Sequence, residues 1–261
     1  MDLRLTDRRV LVTGASRGIG LAIVQAFQAE GADVVATSRN STPELDDTGV
    51  QFFAADLATP DGPRELLEAV LSADSRLDVL VNNAGGGSGT PDALTDPFGG
   101  TDAQWAQMLD LNLLAAVRTT RAALPALLTA GGAVVNVSSD SARRPGGALS
   151  YSTAKAALSA FSRGLAEAVG PRGVRVNVVS PSATLTPLIA GEDGIARLIA
   201  TASGVDHDAV LANFPQQTGM LTGRFIDPAE IARAVVLLAS PTMPSAVGQN
   251  WGVDAGAVKV A

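Results

Sequence analysis

Apolar positions in this chain fall into short blocks of two kinds, and the kinds alternate. Val, Leu, Ala and Phe runs at residues 9–13, 33–37, 51–55, 78–81, 133–137 and 174–179 have the length of strands. Between them, apolar residues recur at helical spacing over residues 19–30, 63–71 and 151–169, and across 102–130, which reads as two helices with Pro125 kinking or dividing the latter half. Gly31 and the Gly170–Pro171 pair close two of these helices. A further helix is predicted over 228–238, with Asp227 as N-cap and Pro228 in the first turn. Residues 249–253 supply a seventh, edge strand. The alternation predicts an α/β protein, one βαβ array over 1–261.

Two segments break the rhythm. Residues 85–100 are rich in Gly, Pro and Asp and read as a long surface loop. Residues 186–224 mix short apolar runs with Gly, Pro and Asp between the sixth strand and the 228–238 helix. Long insertions at the carboxyl ends of strands are where open α/β sheets bind ligands. A substrate lid over about 187–225 is therefore expected.

Composition narrows the chemistry. Hydrophobic residues are 46% of 261 and aromatics only 4%, so Ala, Val and Leu must fill the core. A net charge of −7 disfavours nucleic acid and anionic membrane as partners. The chain has no cysteine, which removes disulfides, thiol nucleophiles and thiolate metal sites. Its one histidine, His207, leaves no His-based triad and no metal-ligand set, and reads as an ordinary surface or core residue. No apolar run is long enough to span a bilayer, and the N-terminus shows no signal-peptide pattern, so a cytoplasmic location is expected.

Residues 13–20, Thr-Gly-Ala-Ser-Arg-Gly-Ile-Gly, lie between the first strand and the first helix. Glycines there let the backbone approach a pyrophosphate, and the free amides of the helix start bind the anion. The spacing is GxxxGxG rather than GxGxxG, and a plain tight turn is the rival reading. At the end of the second strand, an acidic residue would bind a ribose 2′-hydroxyl and favour NAD. The chain has Thr37-Ser38-Arg39 there. Arg39, with Arg17 in the glycine turn, suits a 2′-phosphate, so NADP is expected over NAD; two ordinary surface charges are the alternative. Asp56 follows the third strand and either reaches the adenine or caps a helix.

Tyr151 and Lys155 stand four apart at the start of a helix and share a face. A nearby ammonium stabilises the phenolate and lowers its pKa, so the pair can act as acid or base toward a substrate oxygen, although the pair by itself reads more readily as an exposed helix pair. Ser138 and Ser139 end the fifth strand, where a hydroxyl can hydrogen-bond the same oxygen. Asn112 is a poor interior helix residue and invites a reason, a solvated asparagine being the plain one.

TGASRGIG (13–20), NNAG (82–85), Asn112, the serine pair and YSTAK (151–155) occur in the order and spacing of the classical short-chain dehydrogenase/reductases, which this chain resembles over nearly its whole length. The resemblance implies a Rossmann-like doubly wound parallel sheet of about seven strands with helices on both faces. It implies an Asn-Ser-Tyr-Lys tetrad mapping to Asn112, Ser139, Tyr151 and Lys155. Tyrosine is the acid/base, lysine also binds the nicotinamide ribose, serine orients the substrate, and asparagine holds a water in a proton relay. Cofactor contacts carry over to Gly14, Ser16, Arg17, Gly18, Ile19, Gly20, Ser38, Arg39, Asp56, Leu57, Asn83, Ala84, Gly85, Tyr151, Lys155, Pro181, Thr184 and Thr186. A homotetramer or homodimer built on the Asn112 and Tyr151 helices is also implied.

Three departures stand out. The family spacing from the tyrosine selects Ser138, whereas position at the strand end selects Ser139; Ser139 is favoured, because strand-end geometry outlasts a loop deletion. The Pro-Gly after the sixth strand is Pro181-Ser182 here, and the terminal Asp-Gly-Gly is Asp254-Ala255-Gly256. The expected activity is hydride transfer between NADP(H) and a small-molecule ketone or secondary alcohol. Apolar lid residues such as Leu188, Ile189, Val210 and Phe214 suggest a substrate with apolar bulk, or simply pack the lid. The alternatives are a 3-oxoacyl-thioester reductase, with Arg143, Arg144 and Arg172 meeting an acidic carrier, a non-catalytic NADP-binding sensor or scaffold, and a lyase or isomerase.

Overall fold

The computed structural model describes residues 1–87 and 96–259. Strands β1 (Arg9–Thr13), β2 (Asp33–Ser38), β3 (Gln51–Ala54), β4 (Val79–Asn82), β5 (Ala133–Val137), β6 (Arg175–Pro181) and β7 (Asn250–Val253) form one sheet, in the order β3-β2-β1-β4-β5-β6-β7. Every pairing is parallel. The order reverses between β1 and β4, the switch point at which such sheets bind ligands beyond their carboxyl ends.

Helices cover both faces, and the period-two alternation of the strands decides what each face buries. Val10, Val12, Val79, Val81, Val135 and Val137 pack with Ile23, Val24 and Phe27 of α1 (Gly18–Ala29) and Ile231 and Val235 of α10 (Pro228–Ala239). Leu11, Leu80, Val134 and Val176 face the other way, onto α3 (Gly62–Ala73), α5 (Ala115–Ala130) and α6 (Leu149–Val169). β1 and β5 are buried at every residue, as central parallel strands must be.

Local chemistry sets the ends. Asp227 caps α10 in a capping box with Glu230, and Gly131 closes α5 in the left-handed region at φ 60°. α5 runs unbroken through Pro125, which is exposed. A short helix α2 (Pro43–Asp46), capped by Thr42, was not anticipated. Helix α4 (Asp102–Leu109) passes through a π-helical turn, Asp110–Leu114, into α5. Such turns gather at functional sites. The expected surface loop at 85–100 lies partly outside the described residues.

Segment 187–225 carries α7 (Pro187–Ala190), α8 (Ile195–Ser203) and α9 (His207–Gln217). Ala196, Ala200 and Val210 make a small core of their own, supported by Ile199, Leu211 and Phe214. Ile189 joins the main core, so most of the apolar residues expected to face a substrate serve packing instead; Leu188 stays 43% exposed. No helix among the described residues is long and apolar enough to cross a membrane.

Candidate active site

β1 ends at Thr13 and the chain turns at Gly14, whose φ is 64°. Segment 82–85 crosses directly over this turn. Asn83 Nδ2 donates to the carbonyls of Thr13 and Gly14, each at 3.0 Å, while Thr13 Oγ1 accepts from the amides of Asn83 and Ala84, also at 3.0 Å. A Cβ on Gly14 would lie 2.8 Å from Ala84 Cα, and one on Gly20 would overlap the Gly14 carbonyl oxygen. Both glycines are thus fixed by backbone approach. Gly18, at φ 58°, lies under Thr186, whose Cγ2 is 3.1 Å from where a Cβ would sit.

Arg17 is the N-cap of α1 in extended conformation, with no side-chain cap and no acidic residue in the first turn. The first amides of α1, including those of Ile19 and Gly20, are left for an anion. Ser16 is held through its carbonyl by the Thr42 hydroxyl at 2.7 Å. Arg17 and Arg39 are both exposed, and neither forms an ion pair among the described residues. Thr37 Oγ1 is buried without a partner at the same end of the sheet. A glycine cradle, an uncapped helix start and two free guanidiniums fit a dinucleotide carrying a 2′-phosphate.

Other expected contacts are less direct. Ser38 spends its hydroxyl on the Asn40 carbonyl at 2.6 Å, and Leu57 is buried in the core. Asp56 is exposed and accepts from the Ala58 amide at 3.0 Å; α3 starts only at Gly62, so Asp56 is not its cap. Pro181 closes β6 and is buried, but Thr184 turns its hydroxyl onto the Ser182 carbonyl at 2.9 Å.

Beyond β5 the side chains expected to be catalytic gather. Lys155 is 3% exposed, and its Nζ donates to the Val137 carbonyl at 3.0 Å. The same Nζ lies 5.8 Å from the centroid of the half-buried Tyr151 ring. Asn112, in the π-turn, grips Gly86 at both backbone groups: Oδ1 accepts its amide at 2.8 Å and Nδ2 donates to its carbonyl at 3.0 Å. A Cβ on Gly85 would sit 2.9 Å from Asn112 Oδ1 and 3.1 Å from Lys155 Nζ. Segment 82–86 thereby joins the glycine turn to the lysine.

The two serines separate cleanly. Ser138 Oγ donates to the Lys155 carbonyl and meets Ser159 Oγ, each at 3.0 Å, so it is absorbed into the packing of α6. Ser139 Oγ instead donates to Asp140 Oδ1 at 3.2 Å and accepts the Ser141 amide at 3.1 Å, close enough to Tyr151 to act on its phenol. Burial pushes the Tyr151 hydroxyl up to about 12; the Ser139 hydroxyl opposes that rise and the Asp140 carboxylate adds to it. Burial also brings the Lys155 ammonium down to about 8. The expected lowering of the phenol by lysine is therefore reversed in this structure. Desolvation of both groups prevails, and the ammonium is aimed at Val137 rather than at the hydroxyl.

The sequence reading missed Asp140 as part of the site. Its Oδ1 accepts from Ser139 Oγ at 3.2 Å and its Oδ2 from Ser182 Oγ at 2.8 Å. The available signals were a carboxylate directly after the serine pair and a serine where glycine was expected.

The parallel sheet, its switch point and this side-chain set define a Rossmann-like oxidoreductase fold. Residues 14–258 match the family model described as Enoyl-(Acyl carrier protein) reductase. L-xylulose reductase from Bos taurus is 33% identical, with 98% of each chain covered. The 3-oxoacyl-acyl-carrier-protein reductase FabG of Vibrio cholerae is 31% identical, covering 97% of this chain and 98% of that one. The crystal structure of L-sorbose reductase from Gluconobacter frateurii, complexed with NADPH and L-sorbose, superposes with a TM-score of 0.88 at 32% identity and full coverage of both chains. The chain belongs to the short-chain dehydrogenase/reductase family, and is an oxidoreductase of that family.

Proposed function

We propose that this protein is an NADP(H)-dependent reductase of ketones, acting reversibly on the corresponding secondary alcohols. The observation that carries the reading is the convergence of Ser139, Tyr151 and Lys155 beyond β5, beside the Gly85 backbone that runs back to the glycine turn. NADP is supported by the exposed Arg17 and Arg39, which form no ion pair among the described residues, and by the solved reductase bound to NADPH. Arg17, Arg39, Gly14, Gly18 and Gly20 would hold its phosphates, and when bound it supplies the hydride.

The residues of the chain handle the oxygen. Tyr151 keeps its proton at neutral pH because burial holds its pKa up to about 12. It donates that proton to the substrate oxygen as the carbonyl becomes an alcohol. Ser139 hydrogen-bonds the same oxygen, and the buried Lys155 places a positive charge beside the developing alkoxide. Asn112 acts through the backbone, holding Gly86 against the site. Substrates of sugar-ketone type are supported by the L-xylulose and L-sorbose reductases. A 3-oxoacyl thioester is the second reading, favoured by the FabG relative. Arg144 is committed to Asp140 and Thr218, which leaves Arg143 and Arg172 as the exposed cations for an acidic carrier.

The test is NADPH and NADH oxidation against a panel of ketoses, simple ketones and 3-oxoacyl thioesters, with Tyr151→Phe as control. Turnover with NADPH that the mutant loses by about 100-fold or more supports the reading. Tight NADPH binding without turnover on any member overturns it.

A further inference from the structure

Asp140 is a buried charge that the reduction chemistry above does not use. It opens the 3-10 turn Asp140–Ala142 immediately after Ser139, and its side chain is 11% exposed. Burying a carboxylate is costly unless it is paired and hydrogen-bonded. Here both oxygens are engaged, one by the Ser139 hydroxyl and the other by the Ser182 hydroxyl. Arg144 answers the charge, with Nη2 3.6 Å from Oδ2. The same Nη2 donates at 2.6 Å to the carbonyl of Thr218, the residue that closes α9. A Cβ on Gly219 would come within 2.9 Å of Arg144 Nη1, so the end of the 187–225 insertion rests directly on this arginine.

We propose that Asp140 is a positioning residue that couples the Ser139 hydroxyl to the end of α9 through Arg144, with Ser182 as its second anchor. The inference rests on the ketone-reductase reading for its kinetic meaning. While Ser139 donates to Asp140, its proton is not available to a substrate oxygen. Arg144 competes for the same carboxylate and weakens that hold. With α9 seated on Arg144, the serine is freer to turn toward substrate; with the contact broken, Asp140 draws the serine back. The carboxylate also helps Tyr151 keep its proton. The charge that acts on the phenol is Asp140, from the turn after β5; Lys155, on α6 itself, lies 5.8 Å from the ring centroid, and Arg144 stands behind Asp140 at 3.6 Å. Asp110, in the π-turn packed on α6, is paired with Arg118 at 3.0 Å.

Tyr151 is the chain's only tyrosine, so tyrosinate absorbance reports it without any turnover. The experiment titrates the wild type, Asp140→Asn and Arg144→Gln, with circular dichroism to follow the fold, and measures amide exchange at 214–219. Asp140→Asn removes a negative charge and is expected to let the phenol ionise at lower pH. Arg144→Gln unmasks that charge and is expected to move ionisation to higher pH. Amide exchange at 214–219 rises several-fold in both. In turnover, Arg144→Gln loses about 10-fold in kcat, since the unmasked Asp140 then draws the Ser139 hydroxyl back from the substrate oxygen. Shifts in the same direction, no shift in either variant, or unchanged exchange each overturn the proposal, since a merely structural role would not oppose the two variants. If the wild type reduces no carbonyl in the panel, the functional reading falls, and the titration and exchange still decide this one.

Discussion

Ser138 spends its hydroxyl on the Lys155 carbonyl and Ser159, whereas Ser139 turns its own toward Tyr151 and Asp140. Ser139→Ala is therefore expected to cut kcat by about 100-fold or more, as loss of a donor to a developing oxyanion does. Ser138→Ala should instead cost about 1 kcal/mol of stability, read by denaturant unfolding, with kcat changed only a few-fold. The reverse outcome would move the catalytic role to Ser138. Lys155 sets a pH expectation. Its ammonium is brought down to about 8 by burial, so it is charged below that pH and neutral above it. Tyr151, at about 12, stays protonated throughout this range. Because kcat/KM reports groups of the free enzyme, kcat/KM for ketone reduction should be level at neutral pH and fall as pH rises through about 8. A profile level to pH 10 would show that the Lys155 charge is not needed.

At the scale of elements, the glycine positions distinguish fold from chemistry. Gly14 has a φ of 64° and Ala84 Cα only 2.8 Å from a would-be Cβ, so Gly14→Ala should cost about 1–3 kcal/mol in unfolding experiments. Gly85 carries no such backbone strain; its would-be Cβ meets Asn112 Oδ1 and Lys155 Nζ. Gly85→Ala should thus lower kcat by about 10- to 100-fold with a much smaller loss of stability. Much of this was legible in the chain. Short-range chemistry announced the strand–turn–helix at 13–20, the cap at Asp227 and the four-residue step from Tyr151 to Lys155. What was not legible depends on residues far apart. Arg144 finds Thr218, and Ser182 finds Asp140, only once the sheet has brought the ends of β5 and β6 together. The sign of the Tyr151 shift was misread for the same reason: a four-residue spacing reports proximity, while burial and the direction of the lysine come from the whole packing around α6.

At the scale of the whole molecule, the proposed cofactor cradle draws on the turn after β1, the end of β2, the 82–86 crossing and Thr186 beyond β6. These segments come together only in the folded chain, so a ligand bound across them stabilises the fold. Saturation at about 100 times Kd adds roughly 2.7 kcal/mol. For a chain of this size, each kcal/mol raises Tm by about 2–4 °C. NADPH should therefore raise Tm by about 5–11 °C at that excess. NADH at the same concentration should do less, because it brings nothing to Arg17 and Arg39, which no carboxylate among the described residues satisfies. Arg39→Asp puts a negative charge where the 2′-phosphate is expected and supplies an acceptor for a free ribose hydroxyl. In that variant the NADPH shift should collapse while the NADH shift holds or grows, measured by thermal unfolding with each nucleotide. Equal losses for both would mean that Arg39 serves the dinucleotide generally, and would remove the main residue-level support for NADP over NAD.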